Sequence, residues 1–114
     1  MKIVINDTYG GFGLSNLGTE LYGDLAGLNL ISGVTRFGDT EYYHNSVHDD
    51  NYFSVRSIAR DCVHLVATVE QLGSEVASGR YARLKVVEIP DGVEWHIEEY
   101  DGSEWVAENH RTWS

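Results

Sequence analysis

The spacing of apolar residues predicts two helices in this chain. The first follows Ser15, whose side chain suits a helix N-cap, and runs to a stop at Gly27. The second has Asp61 as its candidate cap, and Gly73 ends or kinks it before a later stop at Gly79. The two apolar stripes are Leu14, Leu17, Leu21, Leu25 and Leu28, and then Cys62, Leu65, Val66, Val69, Leu72 and Val76. Stripes at this spacing are typical of helices that pack one face on a core.

Short β-branched runs predict strands at both ends of the chain. Residues 3–5 predict a first, buried strand. Residues 81–89, 93–100 and 103–108 predict three consecutive strands near the C terminus. Pro90-Asp91-Gly92 and Asp101-Gly102 supply the two turns between them. The chain is therefore predicted to end in an antiparallel β-meander.

Residues 29–58 carry a weaker pattern. Short strands are predicted near residues 31–37, with a break at Gly33, and near residues 52–55. A length of 114 residues suits one domain with one modest core. We expect a single α+β domain over residues 1–114, in which an antiparallel sheet includes the C-terminal β-meander and two helices pack on one face.

The Asp101-Gly102 turn fixes the expected register of the last two strands. Tyr100 then faces Ser103, Glu99 faces Glu104, Ile97 faces Val106 and Trp95 faces Glu108. Trp95, Ile97 and Val106 share the side expected to face the core, while Glu94, His96, Glu98, Tyr100 and Trp105 point outward. Like charges directly opposite each other are destabilising, so Glu99 and Glu104 need either water or a cation. The candidate cations are Arg111, Arg83, Lys85 and a basic side chain of a partner.

The charge of the chain narrows the class of partner. The formal net charge is -10, which repels nucleic acid and anionic membrane surfaces. Cys62 is the sole cysteine, so an internal disulfide and a cysteine-based zinc site are excluded, and a reducing cytoplasmic compartment is expected. The first residues predict a strand and lack the length of a signal peptide.

An acidic and aromatic surface near the C terminus is the leading candidate site. Residues 86–110 contain no Lys or Arg. A partner with a basic surface would be attracted and steered by such a patch. The predicted partner-binding residues are Glu94, Glu98, Tyr100, Asp101, Glu104 and Trp105.

A glycine-rich loop gives an alternative site for a small nucleotide ligand. Because the loop links a strand to a helix N-terminus, its free N–H groups would favour an anion. It lacks the Gly-Lys-Ser/Thr of a P-loop, and the competing interpretation is a tight turn in which Tyr9 and Phe12 plug the core. The ligand residues on this hypothesis are Tyr9, Gly10, Gly11, Phe12, Gly13, Ser15, Arg111 and Trp113.

The residues suited to catalysis or metal binding form no recognisable motif. His44 and His48 would share a face only if they were helical, and the glutamate of a zincin motif is absent. Cys62 lies on an apolar stripe, where a cysteine usually only packs. We therefore predict no catalytic residues, no metal and no cofactor, and keep a small hydrolase or transferase as the third hypothesis.

Two segments resemble a family of small phage- and prophage-encoded proteins. They are residues 2–15, with Lys-Ile-Val-Ile-Asn and Tyr-Gly-Gly-Phe-Gly-Leu-Ser, and residues 85–113, with Glu-Ile-Pro-Asp-Gly-Val-Glu-Trp, Glu-Glu-Tyr-Asp-Gly and His-Arg-Thr-Trp. The resemblance implies an origin in a tailed phage and action in the host cytoplasm, and it implies no activity.

The function expected from these features is binding without catalysis. The leading hypothesis is an accessory protein that antagonises a host defence complex, as an anti-CRISPR or other anti-defence protein does, by engaging a basic nucleic-acid-binding groove. The alternative is an oligomeric protein that sequesters a nucleotide-type defence signal through the glycine-rich loop.

Overall fold

The computed structural model describes residues 1–109 and shows an α+β fold, as the sequence predicts. The last five residues lie outside it, and with them the predicted ligand residues Arg111 and Trp113. The elements are β1 Lys2–Asn6, α1 Asn16–Ala26, β2 Leu30–Val34, β3 Thr40–His44, β4 Tyr52–Phe53, α2 Val63–Leu72, α3 Ser74–Ala77, β5 Leu84–Glu88, β6 Trp95–Tyr100 and β7 Ser103–Glu108. Short 3-10 turns at Asp49–Asn51 and Val55–Ser57 flank β4.

The strands form three small antiparallel sheets. β1 pairs with β5, β2 pairs with β3 and β3 with β4, and β6 pairs with β7. The predicted three-stranded meander is therefore wrong in its first hairpin, because β5 pairs with β1 and not with β6. The physical reason is burial: Ile3, Val4 and Leu84 are almost fully buried where β1 meets β5, whereas β6 alternates half-buried apolar residues with charged ones.

The ends of the helices test the capping residues and the glycine stops that the sequence predicts. Ser15 caps α1, since its Oγ accepts the Gly18 N–H at 2.9 Å, and Gly27 ends the helix in the left-handed region at φ 72°. α2 begins at Val63 without a side-chain cap, so the predicted cap at Asp61 is wrong. Gly73 ends α2 at φ 82°, and the separate short helix α3 follows it.

The buried face of α1 differs from its leucine stripe. Leu17 is 62% exposed, whereas Thr19 and Tyr22 are buried together with two glycines of the helix. A Cβ at Gly18 would lie 2.9 Å from the Ala77 carbonyl oxygen, so α1 and α3 approach more closely there than a side chain allows. The close approach of the α1 and α3 backbones at Gly18 thus sets the orientation of α1. The spacing of the leucines does not predict this contact.

One core joins the helices to two of the sheets. α1 packs on α2, and α2 packs on β1 and β5. The rings of Tyr22 and Phe53 stack at 5.9 Å, which links α1 to β4. The core residues are Val4, Phe12, Tyr22, Tyr42, Phe53, Ile58, Leu65, Val66, Val69, Ala77 and Leu84. None of the helices within residues 1–109 is long and apolar enough to cross a membrane.

The molecule is elongated, with principal extents of 53 × 30 × 29 Å. Its radius of gyration is 15.4 Å, against about 13 Å for a compact domain of this length. The β6–β7 hairpin lies outside the other two sheets and contacts the body through β7, which lies beside β1.

Candidate functional site

The β6–β7 hairpin has the register that the sequence predicts. Ile97 pairs with Val106 and Glu99 with Glu104 around the Asp101-Gly102 turn. Asp101 and Gly102 both have positive φ, 51° and 88°, as the two central residues of a type I′ hairpin turn require. One face of the hairpin therefore carries half-buried apolar residues, and the other carries the residues predicted to point outward.

Glu104 is the best-buried carboxylate of the hairpin, and it does not belong to the partner surface. Its side chain is 8% exposed, and its two oxygens accept from the two Nη atoms of Arg60 at 2.5 and 2.8 Å. The Asn6 N–H also donates to Glu104 Oε1, at 2.8 Å. The prediction that Glu104 contacts a partner is wrong, because its side chain is buried and its two oxygens accept three hydrogen bonds inside the fold.

Arg60 is therefore the cation that serves Glu104. Of the proposed candidates, Arg83 pairs with Asp7, Lys85 lies in β5 opposite Ile5, and Arg111 lies outside the described residues. Arg60 was missed because no local pattern links it to a residue 44 positions away. Glu99, the carboxylate directly opposite, is exposed to solvent and needs no cation. The two paired glutamates therefore differ in burial, which the register alone does not predict.

The Arg60 guanidinium also connects the hairpin to the glycine-rich loop. Its Cζ lies 3.8 Å from the centroid of the Phe12 ring, a short cation–π contact beneath the Glu104 carboxylate. Phe12 is itself buried at 7% exposure. The pair and the ring thus form one continuous junction between β7, the loop and the segment before α2.

Asn6 is a second fixing point for the hairpin. Its side chain is fully buried, and its Nδ2 donates to the carbonyls of Thr8 and Gly102 at 2.7 and 2.8 Å. Its Oδ1 accepts the Arg83 N–H at 2.8 Å. A buried polar group with all its partners satisfied specifies one geometry, so Asn6 holds the hairpin turn relative to β1 and β5.

The outward face of the hairpin carries a hydrogen-bonded chain of side chains. Trp105 Nε1–H donates to Glu98 Oε2 at 3.1 Å, and His96 Nε2 lies 3.0 Å from Glu98 Oε1. The other ring nitrogen of His96 contacts the Asn109 side chain. The bond to Glu98, and then the bond to Asn109, raises the pKa of His96, and the bond to His96 lowers the pKa of Glu98.

This chain of contacts holds an aromatic side chain at the surface. Trp105 is 45% exposed and Tyr100 is 71% exposed, and both lie among carboxylates. Glu94 and Asp101, at the two ends of β6, are exposed as well. We call His96, Glu98, Tyr100 and Trp105, with Glu94 and Asp101 at its ends, the outer hairpin face.

The groups of the glycine-rich loop are largely used by the fold. The Ser15 hydroxyl caps α1 and donates to the Val76 carbonyl at 2.7 Å. Gly10 and Gly11 lie under the hairpin turn, where a Cβ at Gly102 would come within 2.5 Å of the Gly11 nitrogen. Of the two aromatic residues expected to plug the core, Phe12 is buried, whereas the same expectation for Tyr9 is wrong, since it is 65% exposed.

A cavity of about 330 Å³ opens between this loop and the hairpin. Its lining residues are Gly11, Phe12, Arg56, Arg60, Ile97, Glu99 and Glu104. Two guanidinium groups and two carboxylates balance in charge there. The cavity therefore offers an anionic ligand much less attraction than an uncompensated arginine pair would.

The histidines considered for metal binding are not placed on a helix. His44 ends β3 with its ring 5.4 Å from that of Phe53, and His48 precedes the Asp49–Asn51 turn, where its ring nitrogen accepts the Asp50 N–H. Within residues 1–109, no group of three or more His, Cys, Asp or Glu side chains is arranged to hold a metal ion.

No protein-family model, curated protein or solved structure matches this chain.

Proposed function

We propose that this protein acts by binding, and that its outer hairpin face engages a basic surface of a partner protein. The observation that carries the proposal is Trp105, an exposed aromatic ring held by the ionised Glu98 on a hairpin that has no Lys or Arg. A rigid aromatic anchor surrounded by charge is typical of a binding hot spot.

The electrostatics of the hairpin favour a cationic partner. Of the carboxylates in residues 94–108, Glu104 is neutralised by Arg60, while Glu94, Glu98, Glu99, Asp101 and Glu108 remain exposed. Fixed negative charge on a projecting surface raises the rate of association with a basic surface and makes binding salt-sensitive.

The resemblance to phage-encoded proteins assigns no partner, but an origin in a phage is compatible with a target in host defence. On this proposal the target is a host defence complex whose nucleic-acid-binding groove is rich in Lys and Arg. An acidic hairpin in that groove would occupy the positions that phosphates otherwise take.

The nucleotide-binding alternative has less support from the described residues. Ser15 and two of the loop glycines are engaged in internal contacts, and the adjoining cavity balances its charges. The binding hypothesis uses exposed side chains, and three of them, His96, Glu98 and Trp105, are joined by hydrogen bonds.

The proposal is tested by comparing two charge-reversed variants as bait in a bacterial lysate. Glu94→Lys/Glu98→Lys reverses two carboxylates at the outer hairpin face, and Asp24→Lys/Glu75→Lys reverses two exposed carboxylates on α1 and α3. The net charge of both variants is the same, so any difference reports position. We expect the wild type and the helix variant to retain the same basic protein, and the hairpin variant to lose it.

With the retained protein in purified form, Trp105→Ala is expected to weaken binding by roughly 30-fold, the effect of losing a hot-spot aromatic residue of about 2 kcal/mol. Equal binding by the two charge-reversed variants would show that net charge alone attracts the partner, and would overturn the assignment of this face.

A further inference from the structure

The free edge of β2 is unusually unprotected. β2 has the sequence Leu-Ile-Ser-Gly-Val, without a charged residue or a proline, and within residues 1–109 it pairs with β3 alone. Exposed edges of natural sheets commonly carry lysine, proline or a bulge, which prevent pairing with another strand. Ile31, Ser32 and Val34 are exposed here, and Val34 is 74% exposed.

The hydrogen-bond pattern shows which backbone groups face this edge. The Asn45 N–H donates to the Asn29 carbonyl, and the Thr35 N–H donates to the Asp39 carbonyl, both at 2.8 Å. Because bonded pairs alternate along an antiparallel ladder, the odd-numbered residues of β2 bond to β3. The N–H and C=O groups of Leu30, Ser32 and Val34 therefore point away from the sheet.

These outward groups are self-complementary, and the geometry points to a second copy of this chain as the occupant of the edge. A twofold axis through Ser32 pairs Ser32 with itself and Leu30 with Val34 of the other copy. Each of these pairs is then a hydrogen-bonded pair, and together they form about six N–H···O=C bonds. The two three-stranded sheets become one continuous sheet with an isologous interface.

The side chains fit the same register on both faces. Ile31 of one copy falls opposite Gly33 of the other. The side chains of Val47 and Tyr43 already cover Gly33, at 3.1 and 3.2 Å from the position of its missing Cβ, so Ile31 of the other copy packs on these side chains. On the opposite face the exposed Val34 meets Leu30. The pairing thus covers Ile31, Val34 and Val47, which are all exposed in the single chain.

The interface is small, and the two copies repel each other. A five-residue edge with three apolar contacts is on the scale of a weak, transient interface, below about 1,000 Å² of buried surface. Each copy has a formal net charge of -10, so added salt, which screens the repulsion, strengthens the association. Salt has the opposite effect on binding between the outer hairpin face and a basic partner, so the two inferences succeed or fail independently.

The test is sedimentation equilibrium of the full chain over a range of concentrations, at about 0.05 M and about 0.5 M NaCl. We expect the apparent mass to rise from 12.8 kDa toward twice that value, and to rise further at high salt. Val34→Lys places a charge against the pairing edge and is expected to weaken association by roughly tenfold or more. Val63→Lys, on α2, is the matched control because Val63 is 72% exposed.

Both variants make the chain less acidic by the same amount, so general repulsion falls equally in each. Ser32→Pro, which removes an outward N–H, provides a second disruption, and its melting curve checks that the fold is retained. A chain that stays at 12.8 kDa at every concentration and salt, or Val34→Lys and Val63→Lys variants that associate equally, would overturn the proposal.

Discussion

The β6–β7 hairpin and the β2–β3 hairpin are both antiparallel, but they differ in their connections, which are Asp101-Gly102 and residues 35–39, and in their surfaces. Each joins two antiparallel strands through a turn with a glycine at nearly the same angle, φ 88° at Gly102 and φ 86° at Gly38. The first exposes carboxylates around a fixed tryptophan, and the second exposes an uncharged strand edge. On the two proposals above, the side chains that each hairpin exposes, and not the hairpin itself, decide which partner it binds.

The two hairpins are also held in different ways. Arg60 and Asn6 attach β6–β7 through polar contacts, and its turn packs on the glycine-rich loop. β3 attaches the other hairpin through Tyr42, which is buried, and a Cβ at the turn residue Gly38 would meet no atom within 4 Å. The acidic hairpin thus depends on several polar contacts, whereas the β2–β3 hairpin depends on the buried Tyr42, whose hydroxyl also donates to Glu20 Oε2 at 2.9 Å.

The largest effect on stability is expected from removal of the buried Glu104 carboxylate. Glu104→Ala leaves the Arg60 guanidinium without its partner on the Phe12 ring, and an unpaired buried charge costs about 3–5 kcal/mol. Glu99→Ala, directly across the pair, is expected to change the free energy of unfolding by less than about 0.5 kcal/mol because Glu99 is exposed. Urea unfolding of both variants measures the difference. Equal stability of the two would show that Arg60 does not hold the hairpin.

Substitution of the two turn glycines, Gly102 and Gly38, is expected to change stability by a smaller amount. Alanine at either position takes a left-handed conformation, at a cost of about 1–2 kcal/mol. At Gly102 the new Cβ would also lie 2.5 Å from the Gly11 nitrogen, and overpacking of this kind adds about 1–3 kcal/mol. Thermal unfolding should therefore show a lower Tm for Gly102→Ala than for Gly38→Ala. The reverse order would mean that the turn does not pack on the loop.

The sequence predicts local structure better than it predicts the junctions. The Asp101-Gly102 turn, the register of β6–β7 and the Ser15 cap each depend on neighbouring residues, and the structure confirms them. The partner of β5 and the cation of Glu104 depend on contacts between distant segments, which no local period encodes. Strand alternation predicts that Trp105 points outward. It does not predict the hydrogen bond from Trp105 to Glu98, which the structure shows.

The two surfaces should also differ in their response to pH. β2 has no titratable side chain, whereas the bond to Glu98 raises the pKa of His96 on the outer hairpin face. Protonated His96 is therefore favoured in the fold, and this stabilising pair is present at low pH and lost as the pH rises through the raised pKa. Above that pH the outer hairpin face gains net negative charge, so its affinity for a basic partner should increase while self-association through β2 changes less.

An NMR titration of the His96 ring measures this effect directly. We expect a midpoint above the ordinary histidine value of about 6.5. Glu98→Gln should lower that midpoint because it removes the carboxylate that stabilises the imidazolium. A wild-type midpoint at or below the ordinary value, unaffected by Glu98→Gln, would mean that His96 and Glu98 do not pair in solution.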